Sequence, residues 1–234
     1  QKGCCCRGDA GAAHLDCLIQ LATHATAASS DRRPWRVCSV CNSHFTGEVQ
    51  LGLARARKDH SETLPSGPPE RLHAMSCLCN ALHAYGQYRE AEAIEVQVLE
   101  AHRATHGPEH PSTLVAANNL AITYTSQGKY PEAVAMHREV IRVYTAAHGS
   151  AHPSTLEAMN DLGSTLRAQG KPAEAAVLQK EVLAARRENL GPEHPDTLIT
   201  AGNLAHTYNT LGKYAEAAEL DRFVLESRTR VLGP

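Results

Sequence analysis

The sequence predicts an all-α fold: an array of about four helix-turn-helix repeats over residues 68–234. Three observations carry this expectation. His-Pro-Ser-Thr-Leu at 110–114 returns 42 residues later at 152–156, and again as His-Pro-Asp-Thr-Leu at 194–198. Gly86, Gly128, Gly170 and Gly212 keep the same spacing. Glu90, Glu132, Glu174 and Glu216 run in step, each followed by alanine. Self-similarity at a fixed period marks small units that cannot bury their apolar faces alone and must stack. Such an array makes a surface for holding another molecule.

The first unit, 68–109, is degenerate, as a terminal repeat should be. Pro68-Pro69-Glu70-Arg71-Leu72 stands where later units have His-Pro-x-Thr-Leu. Cys77 and Cys79 are two apart on a predicted helix, point to different sides, and read as small buried residues rather than a metal pair. The second unit, 110–151, shows the pattern best. Pro111 suits a first helical turn, where its missing N–H costs nothing. Leu114, Ala117, Leu120, Ala121 and Tyr124 recur at helical spacing. Gln127-Gly128-Lys129 breaks the chain. Ala133, Met136, Val140, Ile141 and Tyr144 mark a second apolar stripe, ended by His148-Gly149. The third unit, 152–193, repeats this with Leu162, Gly163, Leu166, Ala175 and Val182. The fourth, 194–234, does so with Leu204, Ala205, Tyr208, Ala217 and Val224. The small residues Ala121, Gly163 and Ala205, with Ala133, Ala175 and Ala217, let paired helices approach closely. His102, His106 and His110 are four apart, but His106 recurs as His148, and His110 as His152 and His194. That recurrence points to a turn-building role rather than a metal site. The last helix, 214–232, carries Ala217, Leu220, Val224 and Val231, a face expected to meet a further repeat or a capping helix.

These residues resemble the tetratricopeptide repeat in the long form found in kinesin light chains. The resemblance rests on Asn118-Asn119-Leu120-Ala121, Gly128-Lys129-Tyr130, Glu132-Ala133 and the Gly191-Pro192-Glu193-His194-Pro195 spacer. It implies a right-handed α-solenoid whose first helices line a concave groove for a protein or peptide ligand. By matching positions, that groove would include Asn118, Asn160, Ile122, Ser164, His206, Thr125, Arg167 and Asn209. Asn side chains can bond an extended backbone without demanding a charge. A Lys/Arg ladder for a terminal carboxylate is absent, as is the heptad segment that joins a light chain to its motor.

Ahead of the array, six cysteines crowd into 41 residues. The order is Cys4-x-Cys6, His14-x-x-Cys17, then Cys38-x-x-Cys41. Thiolate and imidazole suit zinc, which prefers four tetrahedral ligands. The order resembles the second half of a RING-CH zinc finger, the variant RING of one ubiquitin-ligase family. The resemblance implies one zinc held by Cys4, Cys6, Cys38 and Cys41, with His14 and Cys17 as half of a second, incomplete site. Residues 1–47 are therefore expected to be a partial finger. Pro34 and Trp35 would either line a groove for a ubiquitin-conjugating enzyme or pack the finger. Residues 48–67 read as a linker, with a short helix around Ala54–Asp59.

A net charge of −2 argues against a nucleic-acid footprint. No run approaches the length of a membrane-spanning helix. No signal peptide opens the chain, so a cytoplasmic setting is expected. The chain lacks Gly-x-Ser-x-Gly and a phosphate loop. Two functions are open: an interaction scaffold carrying a zinc module, or a ubiquitin ligase whose repeats select substrate.

Overall fold

A computed structural model describes residues 18–20, 22–23, 47–63 and 68–232. Among these residues there is no strand, and nine long helices follow one another. They are α1 (Gly47–Thr63), α2 (Pro68–Ala84), α3 (Tyr88–His106), α4 (Pro111–Ser126), α5 (Tyr130–His148), α6 (Pro153–Ala168), α7 (Pro172–Leu190), α8 (Pro195–Thr210) and α9 (Tyr214–Leu232). The chain divides into two compact units, one ending at Ala101 and one running from His102 to Pro234.

In the first unit, α1 is longer than the short helix expected in a linker. Leu51, Ala54 and Ser61 recur at helical spacing on its buried face, with Leu53 fully enclosed. The helix packs on α2, where Met75, Leu78 and Leu82 are buried. Arg57 is buried with them; its guanidinium donates to Cys77 Sγ at 3.3 Å and lies 3.9 Å from Glu70. Arg55 donates to Gln87 and Glu90, tying α1 to the start of α3. Cys79 is buried and Cys77 half-buried, on different sides of α2.

The second unit stacks the pairs α4–α5, α6–α7 and α8–α9 as a solenoid of helix-turn-helix repeats, each helix packing on the next, and first helices on first helices. The 42-residue motif explains each entry turn. His110, His152 and His194 are helix N-caps in extended conformation, and each Nδ1 accepts from the backbone N–H two residues on, at 3.2–3.3 Å. Proline follows at the first helical position. The threonine of each motif reaches back: Thr113, Thr155 and Thr197 donate to the carbonyls of Gly107, Gly149 and Gly191 at 2.8–2.9 Å. All three hydroxyls are buried. The leucine then enters the core.

The small residues meet as expected. Ala121, Ala133, Ala175 and Ala205 are fully buried, and Ala217 nearly so. At Gly163 the fit is tighter, because a Cβ there would stand 2.8 Å from Gln179 Cγ. Of the α9 stripe, Ala217, Leu220 and Val224 do not face outward. Ala217 and Val224 are buried against Leu204, Ala205 and Tyr208, with Leu220 beside them. Its own partner helix claims that face first; among the described residues of α9, the large apolar side chains left exposed are Tyr214 and Leu225.

Candidate functional site

On α4, positions 113, 114, 116, 117, 120, 121 and 123 are buried, which leaves a strip through Val115, Asn118, Asn119, Ile122, Thr125 and Ser126. The same strip runs down α6 and α8. Side-chain bonds fix these three helices in register. Asn118 Nδ2 donates to Asp161 Oδ2 at 2.7 Å, Asn203 Nδ2 donates to Asn160 Oδ1 at 3.1 Å, and the Thr125 and Thr165 hydroxyls share a bond of 2.8 Å. These partners lie 43, 43 and 40 residues apart, close to the period, so equivalent residues align in rows across the helices. One row is Val115, Glu157 and Ile199; the next is Asn119, Asp161 and Asn203; a third is Ile122, Ser164 and His206.

The eight residues expected in the groove fall into two groups. Asn118 and Asn160 are spent on the inter-repeat bonds, and Asn160 is buried. Thr125 donates or accepts across to Thr165 and also reaches the Ala121 carbonyl. Ser164 bonds the Asn160 carbonyl one turn back. Ile122 and Arg167 are half-buried at the strip, while His206 and Asn209 are exposed. Asn119, one position on from Asn118 and about 100° around the helix, is the exposed amide of α4 and makes no side-chain bond among the described residues. The sequence motif contains both asparagines, and only the facing helix distinguishes them.

Behind the strip lies a buried polar column from the second helices: His137 and Gln179, both fully enclosed. His137 Nδ1 donates to Asn118 Oδ1 at 2.9 Å. Gln179 Oε1 accepts from the Thr207 hydroxyl at 2.6 Å. One bond each leaves His137 Nε2 and Gln179 Nε2 enclosed without a partner among the described residues. Burial drives the His137 imidazole down to about 4, so it is held neutral. Asp161 is pushed up to about 6, first by burial and further by Glu157, against the bond from Asn118. Asn118 thus joins a neutral imidazole to a carboxylate on the next repeat. Arg186, also buried, donates to the Asp196 carbonyl and the Thr200 hydroxyl, which locks α7 to the entry of α8.

No group of three or more His, Cys, Asp or Glu able to hold a metal occurs among the described residues. His102, His106 and His110 stack as rings, with centroids 5.8 and 4.4 Å apart. The proposed zinc ligands Cys4, Cys6, His14, Cys17, Cys38 and Cys41, and with them Pro34 and Trp35, lie outside the described residues. No described helix is long and apolar enough to cross a membrane.

Models of the tetratricopeptide repeat match residues 70–146, 155–196 and 197–234, well over half of the chain. No curated protein matches it. Among solved structures, one of nearly identical repeats assigned to a kinesin light chain of Podosopora anserina is 27% identical, with 94% of this chain and 97% of that one covered and a TM-score of 0.62. BtubC from P. vanneervenii shares the fold at 17% identity, covering 95% and 91% of the two chains with a TM-score of 0.63. A Rap protein complexed with competence and sporulation factor does so at 15%, covering 76% of this chain and 49% of that one, with a TM-score of 0.64. Repeat spacing, capped entry turns and stacked helix pairs agree with these matches: the chain belongs to the tetratricopeptide repeat proteins, and its repeats are similar to those of kinesin light chains.

Proposed function

We propose that this protein is an interaction scaffold that binds a peptide or protein segment along the strip formed by α4, α6 and α8. The observation that carries the reading is the side-chain register. Asn118–Asp161, Thr125–Thr165 and Asn160–Asn203 hold three helices so that one face of each forms a single ordered surface. A preorganised surface spends less binding energy on ordering itself. Its exposed amides and His206 can bond an extended backbone, and Ile122 offers an apolar contact. A Rap protein of similar fold is known in complex with competence and sporulation factor, which supports a groove reading for this fold.

The test is a titration of 15N-labelled protein with a peptide selected on it from a random library. Chemical shifts should move at Ile122, Ser164, His206 and Asn209. An Ile122→Glu/Ser164→Glu variant with unchanged melting should lose the peptide. Shifts confined to α5, α7 and α9 would move the site to the other face.

The cysteine order supports a separate zinc module. Cys4, Cys6, Cys38 and Cys41 would hold one ion, and zinc binding there would supply folding energy to residues 1–47. Elemental analysis should find about one zinc per chain, lost in Cys38→Ser/Cys41→Ser; metal-free wild type would remove the module. Recruitment of a ubiquitin-conjugating enzyme rests on that module, and autoubiquitination with a panel of such enzymes tests it.

A further inference from the structure

The row nearest the helix entries has a chemical pattern: Val115 on α4, Glu157 on α6 and Ile199 on α8. All three are exposed, Val115 at 52% and Ile199 at 47%. β-Branched apolar side chains left this open stand on either side of one carboxylate. Glu157 has no hydrogen bond or ion pair among the described residues. Asp161 stands one turn further along α6, and Asp196 opens α8. The cations in reach are engaged or remote. Arg186 is buried and bonded to the α8 entry, and Arg167 lies ten residues along α6, about 15 Å at the helical rise. The row is therefore apolar, acidic, apolar, and it lacks its own counter-charge.

The helix spacing sets the spacing of a ligand. Packed helices have axes about 8–10 Å apart. A polyproline II strand advances about 3.1 Å per residue and repeats its facing side chain every three residues, so about 9 Å per turn. Laid across α4, α6 and α8, such a strand presents residues i, i+3 and i+6 to the three helices in turn. We infer that the groove selects an extended peptide of the form apolar-x-x-basic-x-x-apolar, its Lys or Arg over Glu157 and its apolar side chains against Val115 and Ile199. This deepens the groove reading above and rests on it. Asn119, exposed in the adjacent row, lies where it can bond the peptide backbone between anchors.

The experiment is selection of a randomised nine-residue peptide library on the full chain and, in parallel, on Glu157→Lys, with circular dichroism melting to show that the variant folds. Wild type should enrich Lys or Arg three residues from an apolar residue on each side, and Glu157→Lys should enrich Asp or Glu at that central position. A synthetic winner should lose about five-fold in affinity when its basic residue becomes Gln, as for an exposed ion pair. Enriched peptides without a central basic residue, or with the same centre on both proteins, would overturn the inference and leave the groove standing. No enrichment on wild type would overturn the groove and this inference together.

Discussion

Individual residues in this protein answer to backbone geometry as much as to packing. Gly149 has φ 90° and ψ 166°, and Gly191 φ 91° and ψ 162°, a region open in practice only to glycine. Each glycine carbonyl also receives the buried threonine of the next helix. Gly149→Ala should therefore cost about 1–3 kcal/mol, measured by urea denaturation, although nothing crowds the position. Thr155→Val, which leaves the same carbonyl without its donor, should cost about 1–2 kcal/mol.

His137 and Asp161 give a pH dependence with opposing signs. The unfolded chain binds a proton at His137 near 6.5 and the folded one near 4, so stability falls as pH drops through that window. Asp161 runs the other way: the folded carboxyl binds its proton near 6 and the unfolded one near 3.8, so acid favours the fold there. His137→Gln should flatten the loss of melting temperature between pH 7 and pH 5. Asp161→Asn should steepen it, because the compensating gain is gone. A steeper loss in His137→Gln would refute the assignment.

At the scale of the helix, two internal glycines make opposite predictions. Gly163 on α6 and Gly202 on α8 both weaken a helix relative to alanine by roughly 0.5–1 kcal/mol. Gly202 has nothing within 4 Å of an added Cβ, so Gly202→Ala should stabilise by that amount. Gly163 meets Gln179, which is fully buried and bonded to Thr207, so Gly163→Ala should destabilise by about 1–3 kcal/mol. Gln179→Ala in the same chain should reverse the sign of the glycine substitution. Thermal melting of the four variants decides between propensity and packing. The helix scale also explains α1. Read as sequence, 48–67 suggested a linker, because its charges at Arg55, Arg57, Lys58 and Asp59 look solvated. One of those charges, Arg57, is buried and bonded, which no local pattern announces.

For the whole molecule, stability is a sum of repeat terms and nearest-neighbour terms. Within the unit from His102 onward, the bonds between neighbouring first helices are concentrated in a few side chains. Asn160→Ala/Asn203→Ala removes the side-chain bond between α6 and α8 and leaves a cavity in its place. Amide exchange in α8 and α9 should then rise before that in α4 and α5, and the urea transition should broaden. A variant that unfolds in one step, with protection lowered evenly, would mean that apolar contact alone couples the repeats.

The sequence by itself determined the helix pairs, their turns and their stacking, because a 42-residue period records one packing solution written three times. Cap, proline, threonine and leucine are local, and local physics can be read in order along the chain. It also marked the histidines as turn residues, since what recurs with the turn belongs to the turn. Only the tertiary structure decided which polar residues are available to a partner. Asn118 and Asn119 are neighbours in one motif, yet one is consumed by Asp161 and His137 and the other is exposed. Likewise Val115, Glu157 and Ile199 share no residue type and make no motif. Their alignment on one surface comes from the stacking of three helices, held in register by hydrogen bonds between repeats. A hydrogen bond between distant segments is satisfied in space, so the choice between structure and surface is made there.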